Sequence, residues 1–158
     1  MALAGIPPAV TEETAPFWEA AREGRLVVER CRACGAEAFP PAGICRACRS
    51  RETEHAEVAG PGVVYSFTVN HHRWLPDLEV PFALVWVDFP DHPGVRVVGR
   101  VRGCEPDGVR IGMAVDVGFE EGPNGFAVPS FVARPEDVLV GETGLQSPES
   151  TTRTGEGA

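Results

Sequence analysis

The sequence contains no lysine: all 14 of its basic residues are arginine, against 23 acidic residues, and the formal net charge is −9. Nucleic acid and anionic membranes repel a protein this acidic unless its arginines cluster on one face. The densest cluster, residues 25–52, carries six arginines and three acidic residues. Four thiolates holding a divalent zinc there would reduce that excess to about one positive charge. The composition therefore indicates neither a nucleic-acid partner nor a membrane partner.

Long apolar runs and known catalytic motifs are also missing. No run approaches the roughly 20 apolar residues of a membrane helix, and "MALAGIPPAV" lacks the basic start of a targeting signal. The sequence also has no glycine-rich phosphate loop, nucleophile elbow, HExxH motif or carboxylate pair with acid–base spacing. We therefore expect a cytoplasmic protein, where thiols stay reduced and paired cysteines indicate a metal more often than disulfides.

Two CxxC pairs, ten residues apart, are the strongest signal in the chain: Cys31, Cys34, Cys45 and Cys48. Two residues between thiolates let both sulfurs reach one centre, and two such pairs complete the tetrahedron that zinc prefers. Gly35 permits the tight turn after the first pair. Because four thiolates leave no open position for water, we predict a structural zinc. The alternatives are a redox dithiol or two disulfides.

The chain length favours one domain, or one domain with a small appendage, and 18 glycines and 15 prolines favour short strands. "TAPFWEAAREG" predicts a short helix, with Thr14 as N-cap and Gly24 as its end. "RLVVER" and "TEHAEVAG" predict strands that flank the cysteines. Five further strands follow in about 75 residues, which is typical of a small closed or nearly closed barrel; they are "VVYSFTVNHH", "FALVWVDF", "VRVVGRVRG", "MAVDVGF" and "FAVPSFV".

These elements divide the chain into four expected units. An N-terminal arm and helix take residues 1–24, and a zinc ribbon takes residues 25–59. The barrel takes residues 60–135. Residues 136–158, which have almost no apolar content, predict a disordered acidic tail.

Three further groups are candidate sites, each with an ordinary structural alternative. His71 ends the first barrel strand together with His72, and Arg73 and Trp74 follow; they either contact a phosphate and a purine or make ordinary contacts at the edge of a loop. Because adjacent strand residues point to opposite faces, at most one of His71 and His72 can face a given pocket. Arg96, Arg100 and Arg102 share one face of a strand, as a solubilising surface or as a strip that meets phosphate or an acidic partner. Cys104 is a half-buried turn residue, or a nucleophile if a cationic neighbour activates it.

The motifs "FWEAAREGRLVVERCRACGAEAFPPAGICRAC", "VYSFTV" with His71, "VPFALVWVDF" and "GCEPDGVRIGMAVDVGFEE" resemble the bacterial and archaeal family once called domain of unknown function 35. The resemblance covers roughly residues 16–134 and implies an N-terminal helix, a rubredoxin-like zinc ribbon and a five-stranded OB-fold barrel. The four paired cysteines match the family's zinc ligands, and His71 matches a position where members often have histidine. One departure is "CRS", where many members have glycine after the last cysteine.

The resemblance also implies a partner and a role. Family members accompany thiolase-superfamily enzymes of acyl-CoA metabolism, including retro-aldolases of steroid side-chain degradation, and help to form the acyl-CoA site without the main nucleophile. We therefore expect a non-catalytic subunit of a hetero-oligomer that shares a coenzyme A thioester with its partner. Trp74 or Phe39 would be hidden only in that complex.

Two other functions stay open from the sequence. Zinc ribbons and OB folds often bind nucleic acid, although the charge of −9 opposes this. A self-sufficient acyl-CoA enzyme that uses Cys104 or His71 is the third hypothesis.

Overall fold

The computed structural model of the chain describes residues 7–76 and 78–137. One helix, α1 (Ala15–Arg22), precedes three short strands: β1 (Val27–Cys31), β2 (Glu37–Ala38) and β3 (Thr53–Glu57). Five longer strands follow: β4 (Gly62–Asn70), β5 (Phe82–Asp88), β6 (Arg96–Arg102), β7 (Ala114–Glu121) and β8 (Ala127–Ala133). Single 3-10 turns lie at Pro106–Gly108, Pro123–Gly125 and Pro135–Asp137. The predicted class, mainly β with one helix, a ribbon and a barrel, is confirmed.

The first three strands form a small antiparallel sheet in the order β2-β1-β3. The central strand β1 pairs with β3 along its whole length, from Val27 opposite Glu57 to Cys31 opposite Thr53. Strand β2 adds only two residue pairs on the other side. This sheet is the base from which both cysteine pairs project.

The other five strands close into a barrel in the order β4-β5-β6-β8-β7, with β7 pairing back to β4. Each pairing is antiparallel except β6 with β8. Gly99 permits that parallel pairing, because a Cβ there would lie 2.6 Å from the Pro129 carbonyl oxygen. Closure leaves this sheet without a free edge.

One apolar core runs through the ribbon and the barrel. Val64, Val85, Val87, Val97, Met113, Val115 and Phe131 are fully buried in the barrel. Helix α1 spans the two parts with adjacent aromatic residues. The Phe17 ring contacts Phe39 of the ribbon at 5.2 Å between centroids, and Trp18 contacts Phe126 of the barrel at 5.3 Å.

Some expected boundaries were wrong. Strand β4 ends at Asn70, so His71 and His72 lie beyond it and strand alternation does not separate their side chains. Thr14 precedes α1 but makes no side-chain cap, since its Oγ1 accepts a hydrogen bond from the Thr11 N–H instead. The short strand β2 was not predicted.

The expected disordered tail falls, from residue 138 on, outside the described residues. Residues 1–6 of the expected arm also lie outside them. Within the described ranges, no helix has both the length and the apolar character that crossing a bilayer requires.

Candidate metal centre and exposed barrel face

The first cysteine pair occupies a tight hydrogen-bonded turn at the end of β1. The Cys31 N–H donates to the Ala36 carbonyl at 2.9 Å, and the Gly35 N–H donates to the Cys31 carbonyl at 2.8 Å. Gly35 has φ of 75°, in the left-handed region that glycine adopts without strain. The backbone therefore adopts the tight turn that Gly35 was expected to permit.

The second cysteine pair repeats the same turn with different residues. The Cys45 N–H donates to the Ser50 carbonyl and the Arg49 N–H donates to the Cys45 carbonyl, both at 2.9 Å. Arg49 occupies the position equivalent to Gly35 and has φ of 63°. An L-residue in this conformation costs roughly 1–2 kcal/mol. The departure "CRS" therefore leaves the turn intact but strains its backbone.

The four sulfurs of the two turns converge. All lie within 4.8 Å of one another, with Sγ–Sγ distances of 3.5 Å for Cys31–Cys48 and 3.6 Å for Cys34–Cys45. A tetrahedral zinc with bonds of about 2.3 Å requires sulfurs about 3.8 Å apart. The cluster thus fits a structural zinc closely, with cysteine at all four positions.

The backbone of the second turn prepares one of these thiols to ionise. The N–H groups of Cys48 and Ala47 point at the Cys45 sulfur and outweigh its burial, which lowers the pKa of Cys45 to about 6. The Ser50 N–H lowers the pKa of Cys48, but the adjacent thiols of Cys31 and Cys34 outweigh it and raise that pKa to about 12. Holding all four as thiolates therefore requires a cation, which zinc supplies.

A buried carboxylate ties the loop between the two cysteine pairs to β1. Glu29 is only 3% exposed, and its Oε2 accepts the N–H groups of Gly43 at 2.7 Å and Ala42 at 3.3 Å. Sequence reasoning missed this residue. The available signal was an acidic residue directly after the apolar run Leu26, Val27 and Val28.

A histidine joins the ribbon to the barrel. The Nε2 of His92, in the β5–β6 connection, accepts the Ala59 N–H at 3.2 Å, so Nδ1 carries the hydrogen and donates to Glu37 Oε2 at 2.8 Å. Both side chains are 14% exposed. Because the partners are 33 and 55 residues away in the chain, no local pattern could have predicted this bridge.

The candidate residues after β4 lie on an exposed loop. His71 and Arg73 are exposed, and Trp74 is 71% exposed. The Trp74 Nε1 donates to Asn70 Oδ1 at 2.8 Å, and its ring contacts His72 rather than His71. Phe39, in contrast, already packs on Phe17 within this chain. Contact of this loop with coenzyme A stays a prediction.

The three arginines of β6 lie on the outer face of the barrel and have neighbours within the chain. Arg96 forms a bidentate ion pair with Asp88, at 2.6 and 2.8 Å, which lowers the pKa of that carboxyl. Arg102 lies 3.5 Å from Glu120. Arg100 stacks on the Phe82 ring at 4.0 Å. The strip is therefore not a row of free cations.

An apolar groove of about 430 Å³ crosses the outer face of the barrel beside Arg100. Leu75, Phe82, Leu84, Val98 and Val128 line it with that arginine. Cys104 lies outside this groove, half-buried, and burial raises the pKa of its thiol. A thiol with a raised pKa is a poor nucleophile.

Two family descriptions match adjacent parts of the chain. Residues 18–54 match "ChsH2, rubredoxin-like zinc ribbon domain", and residues 55–120 match "ChsH2, C-terminal OB-fold domain". The two matches meet within β3. The first match contains both cysteine turns, and the second contains β4, β5, β6 and most of β7 but not β8.

Curated relatives fall into two kinds. The chain is 36% identical over 124 residues to a probable enoyl-CoA hydratase alpha subunit of Thermomonospora curvata, and 32% identical over 117 residues to the 3-oxo-4,17-pregnadiene-20-carboxyl-CoA hydratase alpha subunit of Mycobacterium tuberculosis. The matches cover 78% and 74% of this chain but only 38% and 37% of those proteins. A DUF35 domain-containing scaffold protein of Methanocaldococcus jannaschii is 30% identical over 116 residues, covering 70% of this chain and 81% of its own length.

A solved structure matches more completely. It is the "Ltp2-ChsH2(DUF35) aldolase", in which the matching chain is 35% identical to this one with a TM-score of 0.73. The match covers 80% of this chain and 98% of that chain. A DUF35 protein of unknown function from Sulfolobus solfataricus, 16% identical with a TM-score of 0.58, shares the fold.

Proposed function

Because the chain belongs to the DUF35 family of zinc-ribbon and OB-fold proteins, we propose that it is an accessory subunit of an enzyme that acts on acyl-CoA thioesters. One observation carries the proposal: this chain matches 98% of a chain in the Ltp2-ChsH2(DUF35) aldolase, at 35% identity. The name of that aldolase joins Ltp2 to the DUF35 component. A hetero-oligomer is therefore the proposed working state.

The proposed partner is a thiolase-fold enzyme that makes or breaks a carbon–carbon bond, as a thiolase or a retro-aldolase. The family resemblance supports this choice. The hydratase relative from Mycobacterium tuberculosis is named for a steroid-derived CoA thioester, which makes a steroid side chain the first substrate to test. In this proposal the partner supplies the catalytic residues.

The chemistry of the described residues supports a non-catalytic role. The thiols of the ribbon, Cys31, Cys34, Cys45 and Cys48, fill a closed zinc tetrahedron that has no position for water. Burial makes Cys104 a poor nucleophile, and His92 uses both ring nitrogens to join ribbon and barrel. The barrel also presents an exposed apolar face, which suits the docking of a partner.

The helix, the ribbon and the barrel each have a proposed role. The zinc holds the ribbon, residues 25–59, whose small sheet shares the core of the barrel, residues 60–135, and α1 of the first 24 residues fastens the two. Exposed Arg73 and Trp74 offer a cation and a ring to the nucleotide of coenzyme A, with His71 beside them. A reducing cytoplasm suits the free thiols before zinc binds.

The test is purification of the tagged chain from its native host, followed by mass spectrometry. We expect a thiolase-superfamily protein in roughly equal amount, and turnover of a steroid CoA thioester by the complex but not by this chain alone. Recovery of the chain without such a partner, or turnover by the chain alone, contradicts the proposal.

The nucleic-acid alternative has a separate test. The net charge of −9 opposes it, and we expect no salt-sensitive binding to single-stranded oligonucleotides in filter binding at low salt. Tight binding that weakens steeply with salt would restore that alternative.

A further inference from the structure

The apolar groove on the barrel combines an open apolar surface with one cation. Most of its lining is carbon, from Leu75, Phe82, Leu84, Val98 and Val128, and Arg100 is its only charged residue among those that the structure describes. The groove is open to solvent along its length rather than enclosed. Pockets for small ligands bury most of the ligand surface, so this shape fits a protruding protein segment better than a free metabolite.

The guanidinium of Arg100 favours a negatively charged group in the groove. Its Nη2 is buried and has no hydrogen-bond acceptor among the described residues. The Phe82 ring, 4.0 Å from the guanidinium carbon, shields it from water on one side. A buried guanidinium nitrogen without an acceptor is unfavourable. Arg96 and Arg102, on the same strand, each have a carboxylate within the chain, whereas Arg100 has an aromatic ring.

The surroundings of the groove have the composition of a protein interface. Trp86 and Val98 form a directly opposed pair on β5 and β6, and they are 50% and 47% exposed. Leu75, which lines the groove, is 42% exposed, and the neighbouring Trp74 is 71% exposed. Tryptophan and arginine are enriched at the centres of protein interfaces. Because the barrel is closed, a partner cannot add a strand and must dock through side chains.

We propose that this groove is the docking site for the enzyme subunit of the complex, which inserts apolar side chains around one carboxylate that pairs with Arg100. The inference rests on the proposed function for the existence of a partner, and it adds which face the partner covers. The carboxylate completes a bidentate pair of the kind that arginine forms with acidic side chains. Because Nη2 is buried beside the Phe82 ring, the proposal requires that ring to move aside when the partner binds.

The absence of lysine from the chain allows a direct test. Arg100→Lys keeps the positive charge and introduces the only side-chain amine in the protein. A carbodiimide joins an amine to a carboxylate only when the two are in contact. With the complex assembled from purified subunits, we expect the amine at position 100 to cross-link to one acidic residue of the partner, which mass spectrometry then identifies.

The matched control is Arg51→Lys, at an exposed position on the ribbon away from the groove. It also carries a single side-chain amine, and both variants share the same N-terminal amine. We expect no defined cross-link from position 51. Equal cross-linking from both positions, or none from position 100 in an intact complex, overturns the proposal.

A second pair of variants tests the apolar part of the surface without touching Arg100. Val98→Glu places a charge in the lining of the groove, and Ile111→Glu places one at an exposed position, 68% exposed, that does not line it. We expect Val98→Glu to weaken partner binding at least tenfold and Ile111→Glu to leave it unchanged, with both proteins unfolding at the temperature of the parent. Equal binding by both variants overturns the proposal.

The outcomes also separate this inference from the proposed function. If the parent chain binds no enzyme subunit, the proposed function fails first. If the parent binds and Val98→Glu binds equally well, only the assignment of this face fails. Decanoate serves as a probe for a small amphipathic acid: quenching of tryptophan fluorescence by micromolar decanoate, persisting in the complex, would show that the groove is a ligand site and overturn the docking assignment.

Discussion

The ribbon and the barrel share one core but depend on different kinds of contact. The barrel is held by many apolar side chains, among them Val64, Val85, Val87 and Phe131, each fully buried. The ribbon sheet has one side chain buried to that degree, Val28, among the described residues of its three strands, and relies on four sulfurs and a few directed hydrogen bonds. We therefore expect single substitutions to unfold the ribbon, whereas the stability of the barrel depends on many residues.

The largest expected difference comes from removing a zinc ligand. Cys45→Ala should reduce zinc from about one ion per chain to almost none, because three thiolates no longer complete the tetrahedron. Zinc contributes on the order of 10 kcal/mol to small zinc-dependent folds. Hydrogen exchange of β1 to β3 should therefore approach the rate of an unfolded chain while β4 to β8 stay protected.

The control for that experiment is Cys104→Ala, which removes the fifth cysteine. Cys104 lies outside the sulfur cluster, so zinc content and ribbon protection should both match the parent. Equal loss of protection in ribbon and barrel after Cys45→Ala would show that the two parts unfold as one unit.

The barrel has its own weak point at the parallel pairing of β6 and β8. Gly99→Ala would place a Cβ 2.6 Å from the Pro129 carbonyl and 3.0 Å from the Phe131 ring. Overpacking of this kind typically costs about 1–3 kcal/mol. We expect a lower denaturant midpoint, with zinc retained by the folded protein.

Gly108→Ala is the matched control, since the nearest atom to its added Cβ is 4.0 Å away. It should not lower the midpoint. If Gly99→Ala left stability unchanged, β8 would have to lie further from β6 than the structure places it.

A third change tests the hydrogen bonds that replace a core in the ribbon. Glu29→Ala leaves the N–H groups of Ala42 and Gly43 without their acceptor, which should cost about 1–3 kcal/mol. Glu29→Gln keeps an acceptor oxygen and should cost less. We expect faster removal of zinc by a chelator from Glu29→Ala than from the parent, and an intermediate rate for Glu29→Gln.

An exposed carboxylate of the same sheet provides the comparison. Glu54 pairs with Arg32 at the surface, and exposed ion pairs contribute at most about 1 kcal/mol. Glu54→Ala should therefore release zinc at nearly the rate of the parent. Equal rates for Glu29→Ala and Glu54→Ala would mean that the buried carboxylate does not hold the loop.

The same contrast explains what the sequence could and could not predict. The sulfur cluster and every strand except β2 were predictable, because the spacing of Cys31 and Cys34 and the runs of β-branched residues are local signals. The hydrogen-bond partners of His92 and the apolar groove were not, because they depend on residues that the β5–β6 connection and barrel closure bring together. The end of β4 was missed because Asn70 bonds to His72 and Trp74, which stops the strand by side-chain contacts.

The smallest expected effect is an increase in the stability of the ribbon. Arg49 has φ of 63°, whereas the equivalent position of the first turn is Gly35. Replacing Arg49 with glycine would remove the strain of a left-handed L-residue. Part of that gain is lost because glycine has more conformational freedom in the unfolded chain. Arg49→Gly should therefore stabilise the zinc-bound ribbon by about 0.5–1 kcal/mol. Ribbon amides should exchange more slowly while barrel amides are unchanged.

Arg51→Gly separates this backbone effect from the loss of an arginine. Arg51 lies two residues further along and has no left-handed backbone, so glycine there brings only added freedom to the unfolded chain and should destabilise the ribbon slightly. Opposite signs for the two variants would show that a single backbone angle sets part of the ribbon's stability. A shift of the same sign in both would instead point to the charge of the arginines beside the zinc.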